Sequence, residues 1–170
     1  MAQAAKLTGR YLVALGSNQR HHRLGPPERV LLAALLALDR QGLKLERAGP
    51  LVRSAPLGPS RRCYANGAAV VKTKLQPGAM LAHVKAIEAQ FGRRRGGQRW
   101  AARVLDLDLI LWSGGVWASP GLTIPHPQFR ARSFVLGPAC SIAGAWRDPL
   151  TGLTLNHLKA RLTRRRPAPR

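Results

Sequence analysis

Asp106 and Asp108 stand two residues apart in the run Arg103-Val104-Leu105-Asp106-Leu107-Asp108-Leu109-Ile110-Leu111-Trp112, the stretch of this chain best suited to chemistry. Successive strand side chains point to opposite faces, so the two carboxylates share one face while Leu105, Leu107 and Leu109 share the other. Carboxylates that close repel one another unless a cation lies between them, and oxygen-rich sites of this kind take Mg²⁺ jointly with substrate phosphates. An ordinary half-buried strand with one wet face alternates in the same way. Scarcity argues against that plainer reading: the chain has 7 Asp and Glu against 28 Lys and Arg, and two of the seven are stacked on one strand face.

Just upstream lies Gly92-Arg93-Arg94-Arg95-Gly96-Gly97-Gln98-Arg99-Trp100, a connection loaded with guanidinium groups. Arginine forks bind phosphate oxygens bidentately, and glycines let such a loop close over a ligand. The segment reads as a phosphate clamp; a solvated basic loop, or a nucleic-acid patch with Trp100 as a stacking platform, has the same composition. The nearby carboxylate pair favours the clamp, because polyphosphate chemistry needs a divalent partner. Concentrated like charge and three glycines predict that this loop orders when phosphate supplies the counter-charge.

These groups need a scaffold, and the composition supplies one. A chain of 170 residues with 45% hydrophobic content can bury the core of one globular domain. A formal charge of +21 makes polyanions the expected company, whether nucleotide phosphates, nucleic acid or an anionic surface. Cys63 and Cys140 match no zinc or redox spacing, which points to a reducing, cytoplasmic setting. The longest apolar run, Val30 to Leu38, is far short of the roughly 20 residues that span a bilayer. No membrane association is expected.

Tyr11 to Leu15 reads as a first strand stopped by Gly16. A helix follows, opened by Pro26-Pro27 and Glu28 and ended before Gly42, with Leu31, Leu32, Leu35, Leu36 and Leu38 leaving it little polar surface. Leu43 to Glu46 and Leu51 to Ser54 are weaker strands, and Ala68 to Thr73 a better one. A second helix, about Pro77 to Phe91, sets Met80, Leu81, Val84 and Ile87 at helical spacing. Glu88 is expected to be solvated. The Asp strand comes next, then Val116 to Ala118, Leu122 to Ile124 and a last amphipathic helix from about Leu153 to Leu162. This order predicts a single α+β domain over residues 1–163, with helices laid on one face of a largely antiparallel sheet, and a frayed basic tail over 164–170.

The same residues resemble a known family, the 6-hydroxymethyl-7,8-dihydropterin pyrophosphokinases of folate biosynthesis. The likeness begins at Leu15-Gly16-Ser17-Asn18 and continues through Pro56-Leu57-Gly58-Pro59 and Tyr64-Ala65-Asn66. It is most specific from Arg99 to Asp108 and closes with Thr123-Ile124-Pro125-His126 and Arg132-Ser133-Phe134. The resemblance implies a ferredoxin-like core and pyrophosphoryl transfer from ATP to the pterin alcohol, with AMP released. It implies two Mg²⁺ ions on Asp106 and Asp108, and Arg93 and Arg103 at the reacting phosphates. Arg95, Leu109, Thr123, His126 and Arg132 are implied for ATP. Gly16, Ser54, Pro56, Leu57, Tyr64, Asn66, Trp100 and Phe134 are implied for the pterin, with Tyr64 and Phe134 on its two flat faces. It further implies a monomer with no specific nucleic-acid partner. The chain departs from the usual pattern at Arg61-Arg62-Cys63, at Ala55 and at Pro127, which bears on the pterin rim and the adenine pocket. A basic nucleic-acid-binding module is the rival class, but it leaves paired carboxylates facing a polyanion.

Overall fold

The computed structural model describes residues 8–55, 62–92 and 104–164. Strands β1 (Gly9–Ser17), β2 (Leu43–Ala48), β3 (Val52–Ser54), β4 (Tyr64–Thr73) and β5 (Asp106–Trp112) form one sheet, in which every pairing is antiparallel. Its order is β2-β4-β1-β5, with β3 continuing the β2 edge along β4. Helices α1 (Pro27–Ala37) and α2 (Pro77–Gln90) make the two crossovers, giving the ferredoxin-like order expected. A small hairpin, β6 (Trp117–Ser119) with β7 (Leu122–Ile124), follows β5.

One face of the sheet is sealed by Val30, Leu31, Ala34 and Leu38 around α1 and by Met80, Val84 and Ile87 of α2 against Tyr11, Val13, Leu15, Ala69, Val71, Leu107 and Leu109. The Tyr11 hydroxyl donates to the Leu75 carbonyl at 2.8 Å, so this core carries its one large polar tip satisfied. The helix α1 buries one face only. Leu32 and Leu36 are 54% and 64% exposed, so a helix with little polar surface, expected to pack broadly on the sheet, does so through one side and leaves two leucines in solvent.

Helices do not lie on one face alone. Helix α3 (Ser133–Ala143) and helix α4 (Leu155–Thr163) cover the other face, packing Val135, Leu136, Ala139, Leu155 and Leu158 on Leu12, Ala14, Ala68, Val70 and Ile110. The physical reason is visible in β1: Tyr11 to Leu15 is apolar without alternation, as a strand buried on both faces must be. Helix α3 is not among the elements expected from the sequence; Gly137-Pro138 lies inside it, and Pro138 is buried.

A short 3₁₀ turn, Phe129–Ala131, links the hairpin to α3. It is anchored by Arg130, whose guanidinium donates to both oxygens of fully buried Asp148 at 2.7 Å each. Burial alone would push this carboxyl up, but Arg130, the Thr151 hydroxyl at 2.6 Å and the Leu150 amide at 3.1 Å outweigh it and hold the group below the usual range. Such stability is present above the unfolded value near 3.9 and is lost as pH falls through the folded one. Asp148→Asn should therefore cost about 3 kcal/mol at neutral pH and shed part of the parent's acid sensitivity below about pH 4. Urea denaturation at both pH values reads this; equal stability of parent and variant at neutral pH would show the pair to be inert.

Candidate active site

The register across the sheet builds the site. Asp106 of β5 pairs with Gly16 of β1, Gly16 pairs with Asn66 of β4, and Asn66 pairs with Val52 of β3. Paired residues share a face, so Asp106, Gly16 and Asn66 form one row on the α3 side of the sheet, and Asp108 and Ala14 begin the next. Leu105, Leu107 and Leu109 point into the opposite core. The alternation holds until Ile110, an extra residue between the partners of Leu12 and Val13, where a bulge sends both Ile110 and Leu111 to the α3 side. The side chain of Leu109 is 3% exposed on the far face from the carboxylates, so main chain alone is what it can present to a ligand.

Five of the seven acids are tied to structural partners: Glu28 to Arg53, Asp39 to the Leu45 amide, Glu46 to Arg10, Glu88 to Lys85 and Asp148 to Arg130. Asp106 and Asp108, the other two acids, are the half-buried pair on β5, where Asp108 faces Arg132 at 3.9 Å. Burial and the charge of Asp106 push the Asp108 carboxyl up, against the opposing pull of His126, Lys85 and Arg132. A bound cation relieves that cost. Among the described residues no three His, Cys, Asp or Glu side chains are grouped to hold a metal ion. Two carboxylates completed by phosphate and water are what Mg²⁺ accepts, and the donor set fits it.

His126 follows the cis Ile124-Pro125 peptide, and its amide donates to the Ile110 carbonyl at 3.0 Å, which fixes the ring beside β5. Burial lowers its pKa, Asp108 offsets this in part, and the Arg132 charge adds to it, so the site favours the neutral imidazole. The Gln128 amide donates to Nδ1 at 3.2 Å, leaving the ring proton on Nε2 as a donor for a ligand. Arg132, at the N-cap of α3, lies 3.9 Å from Asp108, contacts Gln128 and sits 5.9 Å from the Phe134 ring centre. Thr123 is exposed on β7.

The other half of the row is built on Asn66. Asn66 is buried and donates through Nδ2 to the Ser54 hydroxyl at 2.8 Å, while a Cβ built on Gly16 would stand 3.8 Å from its Oδ1. Ordinary contact at that distance means that glycine leaves open space over the sheet rather than relieving a clash. Tyr64 is half-buried on the same face of β4, and Phe134 lies in the first turn of α3, which packs against that face. The structure thus brings together Gly16, Ser54, Tyr64, Asn66, Asp106, Asp108, His126, Arg132 and Phe134 at one end of the sheet. Pro56 and Leu57, expected to line the pterin pocket, and Arg93, Arg95, Trp100 and Arg103, with the clamp expected of the arginine loop, lie outside the described residues.

Glu88 corrects the sequence reading. It is fully buried, accepts the Leu107 amide at 2.8 Å and holds Lys85 at 3.0 Å. The helical spacing from Val84 to Glu88 is one turn, which puts both on the buried face and could have been read from the sequence. Since Leu107 separates the two aspartates on an edge strand, Glu88 fixes the backbone from which both carboxylates project. Glu88→Leu should destabilise the fold by about 2 kcal/mol through an orphaned amide. Thermal denaturation measures this, and an unchanged melting temperature would refute the anchoring role.

Two half-buried carboxylates beside a histidine and an arginine, with a buried amide across Gly16, are groups chemically suited to metal-bound phosphates and to the polar edge of a ring. The family model for 7,8-dihydro-6-hydroxymethylpterin-pyrophosphokinase (HPPK) matches residues 12–144, and the chain belongs to that family. It is 38% identical over 148 residues to the 2-amino-4-hydroxy-6-hydroxymethyldihydropteridine pyrophosphokinase of Synechocystis sp., covering 86% of this chain and 73% of that protein. The enzyme of the same name from Pseudomonas aeruginosa is 39% identical over 142 residues, 82% of this chain and 84% of that one. Among solved structures, wild-type Plasmodium falciparum HPPK-DHPS with SDX-DHP superposes with a TM-score of 0.70 at 13% identity, covering 91% of this chain. The likeness spans 44% of that solved chain and carries the fold alone.

Proposed function

We propose that this site transfers the pyrophosphoryl group of ATP to the hydroxymethyl oxygen of 6-hydroxymethyl-7,8-dihydropterin, giving the pterin diphosphate and AMP for folate biosynthesis. The alcohol oxygen attacks the β-phosphorus, the bond from that phosphorus to the α,β-bridging oxygen breaks, and AMP leaves with the bridging oxygen. One observation carries the reading. The Asp106 carboxylate, suited with Asp108 of the next row to metal-bound phosphates, and the Asn66 amide, suited to a pterin edge, sit in a single row on either side of Gly16, where no side chain stands between them.

Asp106 and Asp108 would hold two Mg²⁺ ions, which supply charge neutralisation along the triphosphate. The chain's own groups supply position. Asn66 Oδ1 accepts from the pterin edge while Ser54 holds its Nδ2, and Tyr64 and Phe134 cover the two ring faces, within a wall completed by Pro56, Leu57 and Trp100. The Nε2–H of His126 and the Arg132 fork donate to phosphate oxygens, and Arg93, Arg95 and Arg103 close over them. The Leu109 main chain and Thr123 serve the nucleoside. Reaction through a loose transition state depends on positioning and electrostatics, so no side-chain base is required. The free cysteines Cys63 and Cys140 suit a reducing cytoplasm, where the enzyme would work as a monomer.

Gly16→Val tests the junction. A Cβ there meets nothing in the protein closer than Asn66 Oδ1, so the fold should survive. The two substrates can no longer meet without displacement, and kcat/KM should fall by about 10²-fold. A variant that folds and keeps the parent kcat/KM would place the reaction elsewhere.

A further inference from the structure

The α3 face of the sheet carries a second concentration of charge at its opposite end. Arg10 lies six residues before Gly16 on β1, about 20 Å along the strand, well outside the site described above. There Lys72 of β4 is paired with Arg10 on one side and with Lys44 of β2 on the other, so three cationic side chains stand in one row on one face. Like charges directly opposed across strands destabilise a sheet, and this row contains two such pairs in succession.

A groove of about 600 Å³ opens over this row, lined by Arg10, Lys44, Leu45, Glu46, Arg47, Val70 and Trp146. Glu46, at the bulge between Leu45 and Arg47, is the one carboxylate lining it, and its two oxygens accept from Arg10 at 2.6 and 3.2 Å. Arg47 spends one N–H on the Ile142 carbonyl at 2.8 Å. Three cations that line the groove, Arg10, Lys44 and Arg47, together with Lys72 between Arg10 and Lys44 in the strand row, therefore face a single carboxylate. Half-buried Trp146, held by its amide to the Ala143 carbonyl at 2.8 Å, forms an aromatic wall.

We propose that this groove is a second binding site, separate from the catalytic one, for an oligophosphate-bearing anion. Lys44 and Lys72 supply point charges, the outer edge of the Arg10 fork donates alongside them, and Trp146 closes one side. The anion resolves the repulsion that the sheet otherwise carries. Neither the Asp pair nor the pterin recess takes part, so occupancy does not require the assigned reaction.

Inorganic triphosphate, without Mg²⁺, is the probe, titrated into the ¹⁵N-labelled full chain and followed by NMR. The indole N–H of Trp146, assigned with Trp146→Phe, should shift saturably together with the amides around Lys72. Lys72→Met keeps the aliphatic stem and removes the charge, and should weaken that transition about tenfold, the worth of one charge-assisted contact. Lys44→Met on the edge strand is the second variant and should act alike, and both variants should turn over substrate as the parent does. A single-stranded oligonucleotide that displaces triphosphate at lower concentration identifies a nucleic-acid backbone as the source of the phosphates; failure to displace it identifies a free oligophosphate. A Trp146 signal that does not move, or equal affinity in parent and both variants, overturns the proposal.

Discussion

Asp106→Ala and Asp108→Ala should each lower turnover about 10³-fold or more at saturating Mg²⁺, without loss of the fold. Each removes one of the two carboxylates that face the phosphates, and transition-state charge stabilisation by a held metal is worth several kcal/mol, at about 1.4 kcal/mol per factor of ten. The stability arm of the experiment makes the result specific. Burial and Asp106 raise the Asp108 carboxyl above its unfolded value, so ionising it costs stability at every pH above that unfolded value, near 3.9. The isosteric Asp108→Asn should accordingly melt no lower than the parent in the absence of metal, and higher if repulsion dominates. A structural aspartate behaves oppositely, as Asp148 should. Near-parent activity of either alanine variant would remove the metal assignment.

Arg93→Ala and Arg103→Ala should also lower the rate about 10³-fold while weakening pterin binding far less. Arginines that neutralise charge in phosphoryl-type transfer are worth roughly that much, whereas a screened surface arginine is worth under ~1 kcal/mol. The comparison needs both constants: single-turnover rates at saturating ATP, and pterin affinity by equilibrium titration. Rates within about threefold of the parent for both variants would reduce the clamp to solvated surface.

Much of this site was legible because strand periodicity is local. Asp106 and Asp108 on one face, with Leu105, Leu107 and Leu109 on the other, follow from the pleat alone. What the pleat does not reveal is the partner row. That Gly16 joins Asp106 to Asn66 depends on the order β4-β1-β5, which no local pattern encodes. The start of β4 was hidden by Asn66-Gly67, a pair that ordinarily signals a hairpin turn. Gly67 sits mid-strand instead, where a Cβ would come within 2.9 Å of the Leu51 side chain, and Asn66 lies on the face that carries Asp106. Helix α3 was missed for a similar reason, since Gly137-Pro138 looks like punctuation until Pro138 is seen packed on the sheet. Gly49 reveals how close that packing is: a Cβ on it would lie 2.7 Å from the Pro138 carbonyl oxygen. Glu88 shows the commonest error in miniature. Its charge suggested solvent, while its helical phase put it in the core with an amide and a lysine to satisfy it.

The most direct measurement of the central claim is the identity of the nucleotide product. The protein is mixed with ATP, Mg²⁺ and 6-hydroxymethyl-7,8-dihydropterin, quenched, and its nucleotides separated. Attack at the β-phosphorus predicts AMP formed in equal amount to the pterin consumed, with the pterin heavier by two phosphoryl groups. ADP with a singly phosphorylated pterin would contradict the account, because the site would then direct attack to the γ-phosphorus.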